Sequence, residues 1–265
     1  MSTIYVPEYF ARRIGGDRVT VQDLVPPGVE AHDFEPGTAD MRALTAADVI
    51  VYNGAGFEPW IDRVLSTLDG GGRVEIQTAP EARGPGSSGT RDPHVWLDPV
   101  AAVQQAERIR DGLVSADPPG AEGYRERAAA LIVELRSLHD RFTSALSGCA
   151  RTRFVTSHDA FSHLAARYGL EALSITGLSP DAEPAPRELA RLADIMLEHS
   201  IEYVLVEASA GSRLSDALAR EVGAQTLPLH PLETLTPDER SRGETYFTLM
   251  DANLRSLATA LECPA

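Results

Sequence analysis

Apolar and polar positions along this chain switch repeatedly between a period near two and a period near 3.6. The switches predict alternating strands and helices. Residues 2–6 read as a short strand. Residues 9–14 read as a helix stopped by Gly15-Gly16, and the alternating residues 19–24 as a second strand. Thr38 is placed to cap a helix over 39–47, with Asp40 in its first turn. A buried strand over 48–52 closes on Asn53-Gly54-Ala55-Gly56, a helix follows over 57–68, and another strand over 73–77. After a loop over 78–91, the pattern predicts a helix over 100–114, ended by Asp117-Pro118-Pro119-Gly120. Residues 121–146 have no proline and, after Gly123, no glycine. They read as one helix, far longer than the ~11–12-residue average.

Beyond Arg151 the alternation resumes. Strands are expected over 153–156, 172–175, 203–207 and 225–229, and helices over 159–168, 187–199, 212–222 and 244–261. Two βα-repeat halves predict two open α/β lobes joined by a stiff helix: 1–116, a linking helix within 117–148, and 149–265. Asp33-Phe34-Glu35-Pro36 and Asp181-Ala182-Glu183-Pro184 each precede a helix and a buried strand, a faint internal echo.

Candidate chemistry gathers where strands give way to loops, the end at which open α/β sheets bind ligands. Asp92-Pro93-His94-Val95-Trp96-Leu97-Asp98-Pro99 sets a histidine in a corner stiffened by prolines, with Pro99 suited to open the next helix. Alone, His94 reads as a loop histidine satisfied by hydrogen bonds. His32, between Pro26-Pro27-Gly28 and Pro36, His158 after an apolar run, and Glu233 in Pro231-Leu232-Glu233 fall at comparable junctions, and together they turn the reading toward a metal site.

Composition narrows the function. The 265 residues are 43% hydrophobic, enough for one large or two small cores. A net charge of −15 argues against nucleic acid and anionic lipid as partners. All 24 basic residues are arginine, which we attribute to genomic base composition. No apolar run reaches the ~20 residues of a membrane span, and the opening residues do not read as a signal peptide. Cys149 and Cys263 form no metal clip. They read either as unrelated thiols or as a disulfide holding the C-terminal helix to the second lobe; we read the disulfide, and with it an oxidising compartment.

Taken together, the motifs resemble a known family. These are Val25-Pro26-Pro27-Gly28 with His32-Asp33-Phe34-Glu35-Pro36, the run from Ala47 to Trp60, the His94 corner, and Val155-Thr156-Ser157-His158-Asp159-Ala160-Phe161. The family is the metal-binding proteins of zinc and manganese ABC importers, which includes adhesin-type lipoproteins, and the resemblance spans nearly the whole chain. It implies an extracytoplasmic, periplasmic or lipid-anchored monomer that delivers metal to an ABC permease, not an enzyme. It also implies a metal site in the cleft between lobes. By position it nominates His32, His94 and His158 as ligands and a carboxylate near the last strand as the fourth, best matched by Glu233, with His230 as its rival.

Three neutral imidazoles and one carboxylate suit tetrahedral Zn2+ and leave the site at net +1; Mn2+ prefers more oxygen. The 78–91 loop lacks the histidine-rich tract of some zinc-type members. His163 reads as structural, and His139 and His199 as solvated. Asp181 and Glu183 read as solvated loop residues, with a contact to permease arginines as the alternative. Two rivals remain at this point: a zinc hydrolase with Glu35 or Asp98 as base, and an interaction protein with a structural metal.

Overall fold

The computed structural model describes residues 1–68, 72–79, 92–180, 182–207 and 213–264. Most of the 78–91 loop, Asp181 and Ser212 lie outside the described residues. The chain divides into two compact units: the first takes in the described residues up to Ser137 and then Leu232–Tyr246, and the second takes in Leu138–Pro231 and the residues from Phe247 on.

The first unit opens with α1 (Tyr5–Gly15), not with a strand. Tyr5 and Val6 are strand-forming residues, but Val6, Phe10 and Ile14 are spaced four apart and all fully buried, so the helical period wins. Pro7 fits because the first turn has no amide partner to lose. The stretch around Val19–Leu24 stays extended without becoming a ladder, because its neighbour, Ser2, makes single bridges to Asp23 and to Val51 before α1 begins.

Then come α2 (Thr38–Ala46), β1 (Val49–Tyr52), α3 (Ile61–Thr67), β2 (Val74–Gln77), α4 (Pro99–Ala116) and α5 (Ala121–Ala145). Asp40 accepts the Gly37 amide at 2.8 Å, so the polar closure of α2 sits one residue before Thr38. Pro59 delays α3 to Ile61. β1 and β2 pair in parallel, and Leu24, Leu44, Ile50, Trp60, Ile61 and Val64 form the core beside them. α4 starts as the prolines suggest: Asp98 accepts the Val100 amide at 2.9 Å, with Pro99 in the first helical position.

The second unit carries β3 (Arg153–Thr156), α6 (Ser162–Arg167), β4 (Glu171–Ser174), α7 (Pro186–Glu198), β5 (Tyr203–Val206), α8 (Arg213–Val222) and β6 (Gln225–Pro228). Its strands are all parallel in the order β4-β3-β5-β6, as helical crossovers require. Val155, Val204, Leu192, Met196 and Leu218 are central to its core. The chain next returns to the first unit through α9 (Pro237–Ser241) and closes with α10 (Tyr246–Ala260). A Cys149–Cys263 disulfide ties the end of α10 to the residues before β3. Among the described residues, no helix is long and apolar enough to cross a membrane.

Candidate metal centre

Three segments of the first unit bring donor atoms to one point. His32 Nε2 lies 3.2 Å from His94 Nε2 and 3.3 Å from Glu233 Oε1, and His94 Nε2 lies 3.3 Å from the same oxygen. Donors about 2.0–2.1 Å from a tetrahedral zinc stand roughly 3.3–3.4 Å from one another. The triangle therefore already has the edge length of a zinc coordination shell.

Each vertex is held from behind. His32 follows the Pro26-Pro27-Gly28 turn, where Gly28 takes φ 79°, and its ring packs 4.4 Å from the Phe57 ring. Its backbone amide donates to Glu30 Oε1 at 3.1 Å. His94 is fully buried, edge-on to Trp96. Asp92 Oδ1 accepts both the His94 amide, at 3.0 Å, and its ring Nδ1–H, at 2.9 Å. That second bond puts the lone pair on Nε2, the atom facing the other donors. Glu233 follows Leu232, which takes φ 60°. A left-handed leucine costs on the order of 1–2 kcal/mol, and the loop keeps it there by burying the side chain completely and bonding the Glu233 carbonyl to the Tyr5 amide at 3.1 Å.

Electrostatics favour a cation at this point. Burial alone would lower the His94 pKa, but the carboxylates of Asp92 and Glu233 more than offset it, and the net shift is upward. A group that holds a proton this readily also offers a basic nitrogen to a metal.

In the second unit, His158 ends the β3 turn with no exposure. Its Nδ1 bonds the carboxylate of Glu207, just past β5, which also accepts Ser157 Oγ at 2.6 Å. That bond again puts the proton on Nδ1 and leaves the lone pair on Nε2. His230 sits in the same unit with its backbone clasped by Asn253: its amide donates to Oδ1 and its carbonyl accepts from Nδ2, each at 2.7 Å. Glu233, in the first unit, is the carboxylate beside His32 and His94. Asp98 is used as the α4 cap, and Glu35 is exposed, 3.6 Å from Arg63. His163 lies on α6. His139 Nδ1 bonds the Tyr168 hydroxyl at 3.1 Å, and His199 Nε2 meets Arg153, so both have protein partners as well as solvent.

The model of the family described as zinc-uptake complex component A, periplasmic (ZnuA), matches residues 1–260. The chain belongs to the ZnuA family. The zinc-binding lipoprotein AdcA of Streptococcus pneumoniae strain R6 is 36% identical over 281 aligned positions, covering 99% of this chain and 56% of the relative. The high-affinity zinc uptake system protein ZnuA of Bacillus subtilis is 33% identical, covering 98% and 86%. The crystal structure of the Zn(II)-bound ZnuA-like domain of S. pneumoniae AdcA superposes with a TM-score of 0.87 at 36% identity, covering 98% of this chain and 97% of that one. The α/β fold with parallel sheets is therefore that of the ZnuA-like binding proteins, although the chain spans little more than half the length of the streptococcal lipoprotein.

Sequence reasoning missed the groups behind the candidate ligands. Asp92 was visible as a carboxylate two residues before His94, but its bond to the ring was not. Glu207 gave no local signal, because 49 residues separate it from His158.

Proposed function

We propose that this chain is an extracytoplasmic zinc-binding protein that hands its ion to an ABC permease, with His32, His94, His158 and Glu233 as the four ligands. The observation that carries the proposal is the His32–His94–Glu233 triangle, whose edges of 3.2–3.3 Å match a zinc shell. His158 is the fourth ligand on three grounds: its burial, its Glu207-set tautomer, and its place in the motif shared with the family. Three imidazoles and one carboxylate favour zinc over manganese, and four protein ligands leave no open position for a reacting water. The cysteine pair agrees with an oxidising location. The protein works as a monomer, anchored to the membrane, if at all, through a lipid outside the folded units.

The test is competition. Metal-stripped protein is offered equimolar zinc and manganese, and the bound metal is quantified after desalting. One zinc per chain with manganese near background supports the reading; a manganese-loaded product, or no retained metal, overturns it. His94→Ala must abolish retention.

A further inference from the structure

The His94 corner rests on a buried polar network that none of the ligands belongs to. Asn53, the first residue after β1, has no exposure. Its Nδ2 donates to the Pro93 carbonyl at 2.9 Å and to the Gly54 carbonyl at 3.2 Å. The Pro93 carbonyl also accepts the Val95 amide at 2.9 Å, so both of its lone pairs are used. This carbonyl belongs to the peptide leading into His94, and two donors converging on it fix the plane of that peptide. The His94 backbone then takes φ −80°, ψ 40°, outside the main helical and extended wells.

Asn53 is itself held on every side. Its Oδ1 accepts Gln105 Nε2, from α4, at 3.2 Å, and the same nitrogen reaches Thr78 Oγ1 at 3.2 Å. Its amide and that of Gly54 donate to the two oxygens of Glu58 at 2.9 Å each, and Thr3 Oγ1 adds a third bond to that carboxylate. Gly54 sits at φ 82°, and a Cβ there would lie 2.1 Å from Gln77 Nε2, so the turn that aims Asn53 favours glycine. Gln105 Oε1 is buried without a hydrogen-bond partner, but the groups around Asn53 itself are paired, and buried polar groups so held act as rigid supports, because losing one partner strands the others.

We infer that Asn53 is a positioning residue for the metal centre, resting on the zinc reading above. It clamps the Pro93 carbonyl so that the His94 ring meets its partners at coordination distance. Gln105 holds the Asn53 amide in the orientation that lets Nδ2 donate. Asp92 sets the tautomer and rotation of the His94 ring; Asn53 sets the backbone from which the ring projects. Asp92 also accepts the His94 amide, so the two residues hold the same peptide from its N–H and its C=O sides.

The experiment uses the full chain with Zn2+ and Co2+ as probes, and compares Asn53→Ala, Gln105→Leu and His94→Ala. Asn53→Ala is expected to keep one metal per chain, weaken zinc about tenfold, in the range for outer-shell partners, and shift the visible Co2+ ligand-field bands. Gln105→Leu, one step further from the centre, is expected to shift the same bands by less. If Asn53→Ala and Gln105→Leu both fold and leave zinc affinity and the Co2+ spectrum at wild-type values, the inference is wrong. Should Asn53→Ala fail to fold, Gln105→Leu decides alone, and an unchanged spectrum overturns the inference. His94→Ala separates the two claims: if it still retains zinc, the metal reading has failed. If it loses zinc while the other two variants match wild type, only the role of Asn53 has.

Discussion

At the scale of single residues, two buried carboxylates have opposite consequences. Asp92 holds the His94 ring, so Asp92→Asn should weaken zinc by about 10–100-fold without removing it, readable by chelator competition. Asp23 has no comparable partner. Its side chain is 7% exposed, Oδ1 makes no hydrogen bond, and Arg240 stands 3.9 Å from Oδ2. Burial first, and then the nearby Glu8, push its pKa up to about 7. The folded state thus binds a proton more tightly than the unfolded chain does. Stability from this group is full below its ordinary value near 4 and is lost as pH rises toward 7. Asp23→Asn should therefore remove that slope, raising stability at pH 8 by roughly 2–4 kcal/mol while changing little at pH 4. Urea denaturation at the two pH values checks this, and an equal effect at both would refute it.

Among elements, the clearest dependence is that of α10 on the disulfide. Besides the Cys149–Cys263 link, the end of α10 is joined to the residues before β3 by the Arg151 amide to the Leu261 carbonyl at 3.1 Å and by Arg151–Glu262 at 2.7 Å. Cutting a bridge across 114 residues of sequence should cost about 4–5 kcal/mol in the chain-entropy model. A Cys149→Ser/Cys263→Ser double variant should melt well below the parent, and the zinc stoichiometry of what remains folded should be unchanged. How much was legible beforehand follows the same division by element. The long α5 and the buried β3 carry one period without interruption and could be read directly. α1 could not, because its first residues favour strands locally and only the shared burial of Val6, Phe10 and Ile14 shows the helix. In the site, His32, His94 and Glu233 stood out as motif residues. Asn53 lay in a motif run but without a role, and Glu207 gave no signal, because their partners lie 40 and 49 residues away and nothing in a local window records such a bond.

For the molecule as a whole, protons and metal compete for the same nitrogens. The His94 pKa lies above the ordinary 6.5, so zinc affinity should begin to fall at a pH above that value, and binding at pH 7 should release protons. Calorimetry in buffers of different ionisation enthalpy would show this as a buffer-dependent heat. Without metal the sign reverses. Protonated His94 favours the folded state at low pH, and that contribution fades as pH rises through its raised pKa.

The excursion of residues Leu232–Tyr246 back into the first unit has a further consequence, in time rather than in space. A ribosome that has released Met1–Ser137 has made two of the three triangle residues, but the carboxylate is still almost a hundred codons away. Until that late segment emerges, the Tyr5 amide lacks its Glu233 carbonyl, and the Trp96 carbonyl lacks the Tyr246 hydroxyl that reaches it at 2.7 Å. Chains stalled anywhere before it should therefore be poor zinc scavengers, however well the rest has folded.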